Sequence, residues 1–183
     1  MPHVSAAFDS GNIDVVDATD PGDIQLQIRK DHASDHYQWF HFRVAGVRDV
    51  PLTLRILNAG GASYPKAWRG YRAVASTDRQ AWRRVDTDYA DGVLTIRLTP
   101  SADAVYLAYF APFSHERHQD LIARTAARPG VRHDVLGTTL DGRDLDRLVI
   151  GDGPRPVWVI ARQHPGESMA EWWMEGFLAR LTD

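Results

Sequence analysis

Through residue 112 the apolar positions recur every second residue, in short runs broken by turn residues. Asn12–Val16 and Asp23–Arg29 alternate apolar and polar, the period of a half-buried strand. Tyr37–Val44 carries Trp39, Phe40 and Phe42, a strand-like composition. Leu52–Leu57 alternates again, Asp91-Gly92 turns the chain into Val93–Leu98, and Val105–Phe110 completes the set. Short strands separated by turn signals, with no helical period among them, predict an antiparallel β-sandwich over residues 1–112.

The pattern changes after Ala111-Pro112. Ser114 is placed to cap a helix from His115 to about Arg128, with Leu121, Ile122 and Thr125 at helical spacing and Pro129-Gly130 closing it. Val131–Leu140 and Arg143–Ile150 flank Asp141-Gly142, a strong hairpin signal. Val157–Ala161 is a continuous apolar run, read as a strand buried on both faces. A second helix is expected from about Glu167 onward, with Met169, Trp172, Trp173 and Phe177 on its apolar side. One hairpin and two helices cannot cover such a strand. Residues 113–183 therefore read as the opening part of a larger α/β mixed-sheet domain, incomplete in this chain, and the whole as mainly β. An unfinished sheet exposes an apolar edge, so self-association is expected.

Composition narrows the chemistry. With 24 acidic residues against 21 Lys+Arg, the net charge of −3 disfavours a general nucleic-acid binder. There is no cysteine, so a metal would have to be held by His, Asp or Glu. The N-terminus shows no basic segment followed by an apolar run, and no apolar stretch approaches the roughly 18 residues of a membrane span. A soluble cytoplasmic protein without membrane association is the expectation.

The candidate chemistry lies in Arg162-Gln163-His164-Pro165-Gly166-Glu167-Ser168, between the expected strand and the last helix. Functional groups of open α/β sheets collect at such strand ends. His164 and Glu167 offer an imidazole nitrogen and a carboxylate oxygen, both competent zinc donors, and Pro165-Gly166 bends the backbone between them. The residues alone leave a second reading open, a loop histidine beside a first-turn acid that complements the helix dipole. His115 and His118 are helix-surface neighbours that could grip a metal, but a solvated first turn is the plainer reading. Glu171 and Glu175 continue the spacing of Glu167 and read as a solvated stripe. Ser114 and Ser168 have no evident His/Asp partners.

Tyr64–Arg84 is locally basic. Lys66, Arg69, Arg72, Arg79, Arg83 and Arg84 stand against Asp78, with Tyr64, Trp68, Tyr71 and Trp82 interleaved. The plain reading is a solvated loop with some of its aromatics in the core. Steering of acidic peptides and stacking of single-stranded nucleic acid are the functional alternatives.

Gly137-Thr138-Thr139-Leu140-Asp141-Gly142-Arg143, followed by a strand and then His164-Pro165-Gly166-Glu167, resembles the start of the catalytic domain of zinc metallocarboxypeptidases. The cytosolic carboxypeptidase branch, in which a β-sandwich precedes the peptidase domain, is the most similar. Its pattern is visible in Tyr37-Gln38-Trp39-Phe40, Asn58, Tyr64, Trp82-Arg83 and Tyr109-Phe110-Ala111-Pro112-Phe113-Ser114. The resemblance implies one zinc held by His164, Glu167 and a histidine much further along, with a downstream glutamate as general base. It implies hydrolysis of C-terminal residues from peptides or proteins, with acidic C-termini a candidate substrate class. Since the later residues lie outside these 183, the chain alone is not expected to be an active peptidase. His115, His118, His133 or a neighbouring chain would otherwise have to complete the zinc site. Digestive relatives carry a substrate-contacting arginine where Gly166 stands, so their preferences do not carry over. Arg143 reads as structural. The alternative is a non-catalytic sandwich module that binds acidic peptides or a protein partner.

Overall fold

Alternation in the first 112 residues yields ten short strands. They are β1 (His3–Ser5), β2 (Asp14–Asp17), β3 (Ile24–Gln27), β4 (His41–Ala45), β5 (Leu52–Ile56), β6 (Val74–Ser76), β7 (Arg83–Arg84), β8 (Asp86–Ala90), β9 (Val93–Leu98) and β10 (Ala104–Ala108) in the computed structural model, which describes residues 1–183. The strands form two five-stranded sheets, ordered β1-β4-β10-β6-β7 and β2-β3-β5-β9-β8. Their apolar positions meet in one core: Ile24, Leu26, Leu54, Ile56, Leu94 and Ile96 from one sheet, Phe42, Val44, Val105 and Leu107 from the other. The sheets thus bury their facing sides against each other, as the alternation requires.

The pairing departs from a wholly antiparallel sandwich at one place. β3 runs parallel to β5, with Ile24 opposite Leu54 and Leu26 opposite Ile56. The chain leaves β3, crosses to the other sheet as β4, and returns as β5 in the original direction. A crossover of this kind makes the neighbours parallel.

Tyr37–Phe40, expected to belong to a strand with the following residues, lies outside β4. Its polar groups are committed elsewhere. Tyr37 Oη donates to the Asn58 carbonyl (3.0 Å) and Trp39 Nε1 to the Ser10 carbonyl (2.8 Å). Asn58 in turn exchanges two bonds with Ile28, Nδ2 to its carbonyl at 2.9 Å and Oδ1 from its N–H at 3.0 Å. The basic segment is only partly packed onto the sandwich: Trp68 is 1% exposed and donates from Nε1 to the Ala59 carbonyl, while Tyr64 and all six cations stay exposed. Asp91 and Gly92, both at positive φ (51° and 81°), form the two-residue turn of the β8–β9 hairpin, with Ala90 opposite Val93.

The chain divides between Pro112 and Phe113 into two compact units. The second contains α1 (His115–Ala126), the hairpin β11 (Val131–Thr138) and β12 (Asp144–Ile150), and α2 (Met169–Leu181). Ser114 caps α1, its side chain accepting from the Arg117 N–H at 3.2 Å. Phe113, Leu121 and Leu178 are the buried core here, packed with Leu148, Ile150, Trp172 and Met174. Trp172 thus faces the core as expected, whereas Met169 and Trp173 are exposed. The buried stripe of α2 runs through Glu171 and Leu178 instead.

The expected strand over Val157–Ala161 does not form. These residues are irregular, and Val157–Ile160 are 40–85% exposed. An apolar run becomes a strand only where another strand accepts its hydrogen bonds, and β11 and β12 pair with each other alone, leaving residues 157–161 without a strand partner.

Candidate functional site

The loop between β12 and α2 carries the candidate metal donors. Pro165 fixes the backbone after His164, and the chain turns so that the Glu167 N–H donates to the His164 carbonyl at 3.0 Å. This closes a four-residue turn whose first and last side chains lie together. His164 Nδ1 and Glu167 Oε2 are 3.1 Å apart. Two donors on a tetrahedral zinc, at about 2.1 Å from the metal, stand about 3.4 Å from each other. The two groups are hydrogen-bonded to each other here, a few tenths of an ångström closer than adjacent ligands of such an ion, and both side chains are open to solvent (78% and 56% exposed). No group of three or more His, Asp or Glu side chains converges in a metal-binding arrangement. A Cβ at Gly166 would meet no atom within 4 Å, so the turn does not need glycine for space.

The other histidines do not join this pair. His118 lies between two carboxylates, Nδ1 at 2.7 Å from Glu171 Oε1 and Nε2 at 3.0 Å from Asp146 Oδ2. The second Asp146 oxygen meets His133 Nε2 at 2.7 Å. Both carboxylates are buried, with side chains 5% (Asp146) and 10% (Glu171) exposed. With both ring nitrogens facing acceptors, His118 has every reason to keep its proton. The Glu171 hydrogen bond raises its pKa above 6.5 against the opposing effect of burial. For Glu171, burial pushes the pKa up, but the hydrogen bonds from His118 and Arg162 outweigh it and hold the carboxyl below its ordinary range.

Two expectations are corrected here. His118 is not part of a solvated first turn, because α1 packs it against α2 and β12. Glu171 and Glu175 are not a solvated stripe either. Glu171 shares its helix face with Leu178, seven residues on, and so points inward. Glu175 receives Arg117 (2.7 Å) and Arg124 (3.1 Å) from α1.

Arg162 links this network to the donor turn. It adopts φ +57°, a left-handed conformation that costs a non-glycine residue about 1–2 kcal/mol. Its Nε donates to the Pro165 carbonyl (3.1 Å), and its Nη1 donates to the Phe113 carbonyl (2.9 Å) and to Glu171 Oε2 (2.5 Å). Sequence reasoning missed this cluster, since it joins five separated segments. The available signal was an acid placed on the same helical stripe as Leu178.

The basic segment of the sandwich is partly absorbed by packing. Arg79 lies over the rings of Phe8 and Tyr106, and Arg84 over Tyr71 and Phe110. Lys66 and Arg69 line an open cleft of about 810 Å³ with Trp68, Tyr71, Thr87 and Tyr89.

Comparison with known proteins places the chain in a family. Over 180 residues the chain is 55% identical to a protein of Zymomonas mobilis, covering 98% of this chain and 47% of the relative. It is 29% identical to mouse cytosolic carboxypeptidase 4 over 226 residues, covering 96% of this chain and 20% of that protein. Among solved structures, a metallo-carboxypeptidase from Burkholderia cenocepacia superposes with a TM-score of 0.95 at 42% identity, covering 100% of this chain and 49% of that one. A metallo-carboxypeptidase from Pseudomonas aeruginosa, in complex with (2-guanidinoethylmercapto)succinic acid, gives 0.94 at 46% identity, covering 99% and 49%. The chain thus spans about half the length of these bacterial relatives. Residues 4–110 match the family model described as the cytosolic carboxypeptidase N-terminal domain, and the chain belongs to the cytosolic carboxypeptidase family.

Proposed function

We propose that this chain is the front half of a zinc-dependent carboxypeptidase, in which His164 and Glu167 supply two of the protein ligands to the metal. The observation that carries the reading is the turn that brings Nδ1 of His164 within 3.1 Å of Oε2 of Glu167. It is supported by the superposition of the whole chain on metallo-carboxypeptidases.

Such a metal, when bound, acts as a Lewis acid toward a peptide carbonyl and lowers the pKa of water. The residues of this chain contribute placement. The His164–Glu167 turn presents an imidazole nitrogen and a carboxylate oxygen side by side, and Arg162 ties the turn to α2. Catalytic zinc sites use three protein ligands, so a third donor and a general base must come from outside the 183 residues. The fragment by itself is then inactive.

Acidic C-terminal peptides are the first substrate class to try, because Lys66 and Arg69, set against the single acid Asp88, line an open cleft of the sandwich. A cytoplasmic setting completes the reading, supported by the family and by the absence of any helix long and apolar enough to cross a membrane.

The test is zinc content and peptidase activity of the full-length polypeptide. One zinc per chain is expected, lost in His164→Ala and Glu167→Ala, together with release of C-terminal residues from peptides. A full-length protein that folds, binds no zinc and releases nothing would leave the sandwich as a non-catalytic binding module.

A further inference from the structure

The donor turn has no sheet or helix holding it from beneath. Residues 151–168 belong to no strand or helix, and His164 and Glu167 are largely exposed. The turn's own backbone bond closes it and its far end runs into α2, where the Glu167 carbonyl accepts from the Ala170 N–H at 3.1 Å; its near end is tied by one side chain. Arg162 uses Nε inside the turn, on the Pro165 carbonyl, and Nη1 outside it, on Phe113 and Glu171. The planar fork of a guanidinium can serve anchors in several directions at once, which a lysine ammonium on its flexible stem does less rigidly.

Glu171 is the fixed end of this clamp. It sits in the first turn of α2, it is buried, and each of its oxygens has a partner, Arg162 on one and His118 on the other. His118 passes the connection to Asp146 on β12, and Asp146 to His133 on β11. Every carboxylate oxygen in the chain from loop to hairpin is thereby occupied, the condition for keeping two buried acids in place. The array spans α1, α2 and both hairpin strands, and its loop end is the residue two positions before His164.

We propose that Arg162 and Glu171 are the positioning residues of the His164–Glu167 pair. Arg162 clamps the donor turn, and Glu171 locks Arg162 to α2. This deepens the metal reading and rests on it. Neither residue is needed as a ligand. Each acts by holding the two donors in a geometry that an unclamped loop would have to be ordered into on binding, and groups that orient metal ligands typically change affinity 10–100-fold when lost.

The experiment compares wild type with Arg162→Lys, Arg162→Gln and Glu171→Gln in the full-length polypeptide, by hydrogen exchange without metal and by zinc and cobalt(II) titration. Exchange across residues 163–168 should be about tenfold faster or more in each variant. Zinc affinity should fall roughly 10–100-fold, and the cobalt(II) visible spectrum should change in intensity and position. Arg162→Lys keeps the charge opposite Glu171 and loses the fork. It should melt close to wild type and still show the loosened turn and weaker metal binding, so a folding defect in the harsher variants cannot decide the outcome. Unchanged exchange at 163–168 in both Arg162 variants overturns the proposal. So does a loosened turn with unaltered zinc affinity and cobalt spectrum, which would leave Arg162 merely structural. A wild type that binds no zinc, indistinguishable from His164→Ala, refutes the metal reading and with it the positioning of ligands. The exchange result then separately decides whether Arg162 holds the turn.

Discussion

His41 should make the sandwich sensitive to acid well above the range in which carboxylates titrate. Its ring is buried among Phe8, Trp39, Trp82 and Tyr106, with centroid separations of 4.9–6.4 Å. Nδ1 meets Ser10 Oγ at 3.0 Å, while Nε2 is buried without a hydrogen-bond partner. Protonation would put a charge in this apolar cage and strand an N–H at Nε2. Burial first, and then the charge of Arg79, lower the pKa from 6.5 to about 3, against a smaller opposing effect of Asp9. The unfolded chain therefore takes up a proton near pH 6.5 that the folded chain refuses until about pH 3, and stability falls with pH across that window. Linkage gives a loss of about 2 kcal/mol at pH 5 and about 3 kcal/mol at pH 4 relative to neutral pH.

His41→Phe removes the titration and keeps an aromatic ring in the cage. Loss of the Ser10 contact should offset its stability by about 1 kcal/mol at every pH. Urea unfolding at pH 7.5, 6 and 5 then provides the measurement, because subtracting variant from wild type cancels all other titrating groups. The variant should gain about 2 kcal/mol on wild type between pH 7.5 and 5. A difference that stays constant with pH, or a His41 ring proton titrating near 6.5 by NMR, would refute the reasoning.

The His118 array has the opposite acid–base sense. The raised pKa of His118 means that its stabilisation is complete below pH 6.5 and is lost as pH rises through its folded value. The lowered pKa values of Asp146 and Glu171 mean that theirs is lost as pH falls below the ordinary carboxylate range. Hydrogen-exchange protection in α1 and α2 should peak between these limits, and His118→Ala should flatten the alkaline side. Gly11→Ala should lower stability by about 1–3 kcal/mol in thermal melts, because its Cβ would lie 2.0 Å from the Ala6 carbonyl oxygen, which backbone pairing holds nearby. Asn58→Ala should cost about 1–3 kcal/mol, measured by urea unfolding, since it strands both backbone groups of Ile28. The 183-residue chain should associate through exposed Val157–Ile160, with a light-scattering mass that rises with concentration and falls back in Val157→Lys/Ile160→Lys; a concentration-independent monomer would contradict this.

The alternation that made most sandwich strands legible reports which side chains face inward and nothing about direction. Ile24-Gln25-Leu26 and Leu52-Thr53-Leu54 could be read as strands, but their parallel pairing follows from a crossover that alternation does not record. Strands as short as β1, β6 and β7 carry too few residues to show a period at all. Val157–Ala161 misled for a related reason: composition reports apolarity, whereas a ladder needs a partner backbone. At the candidate site the split is similar. The His164–Glu167 turn was legible because both donors and the bend between them lie in four consecutive residues. The cluster of Arg162, Glu171, His118, Asp146 and His133 was not, because packing assembles it from a loop, two helices and a hairpin.

The crossover between the sheets also bears on how the sandwich is made. β4 is a central strand whose second neighbour is β10, with His41 opposite Ala108. Its first neighbour, β1, covers only three residues, His3–Ser5. During synthesis, at roughly 5–20 residues per second, β4 therefore waits several seconds for the strand that closes its open side. β5 waits similarly for β9, so neither sheet can be finished before the other is nearly complete. Both halves of the core are therefore closed late in synthesis, the β5 sheet by β9 and the β4 sheet by β10. Throughout that delay Phe40, Phe42 and Val44 sit beside an unpaired strand edge, which makes this interval the one in which the nascent chain most needs a chaperone.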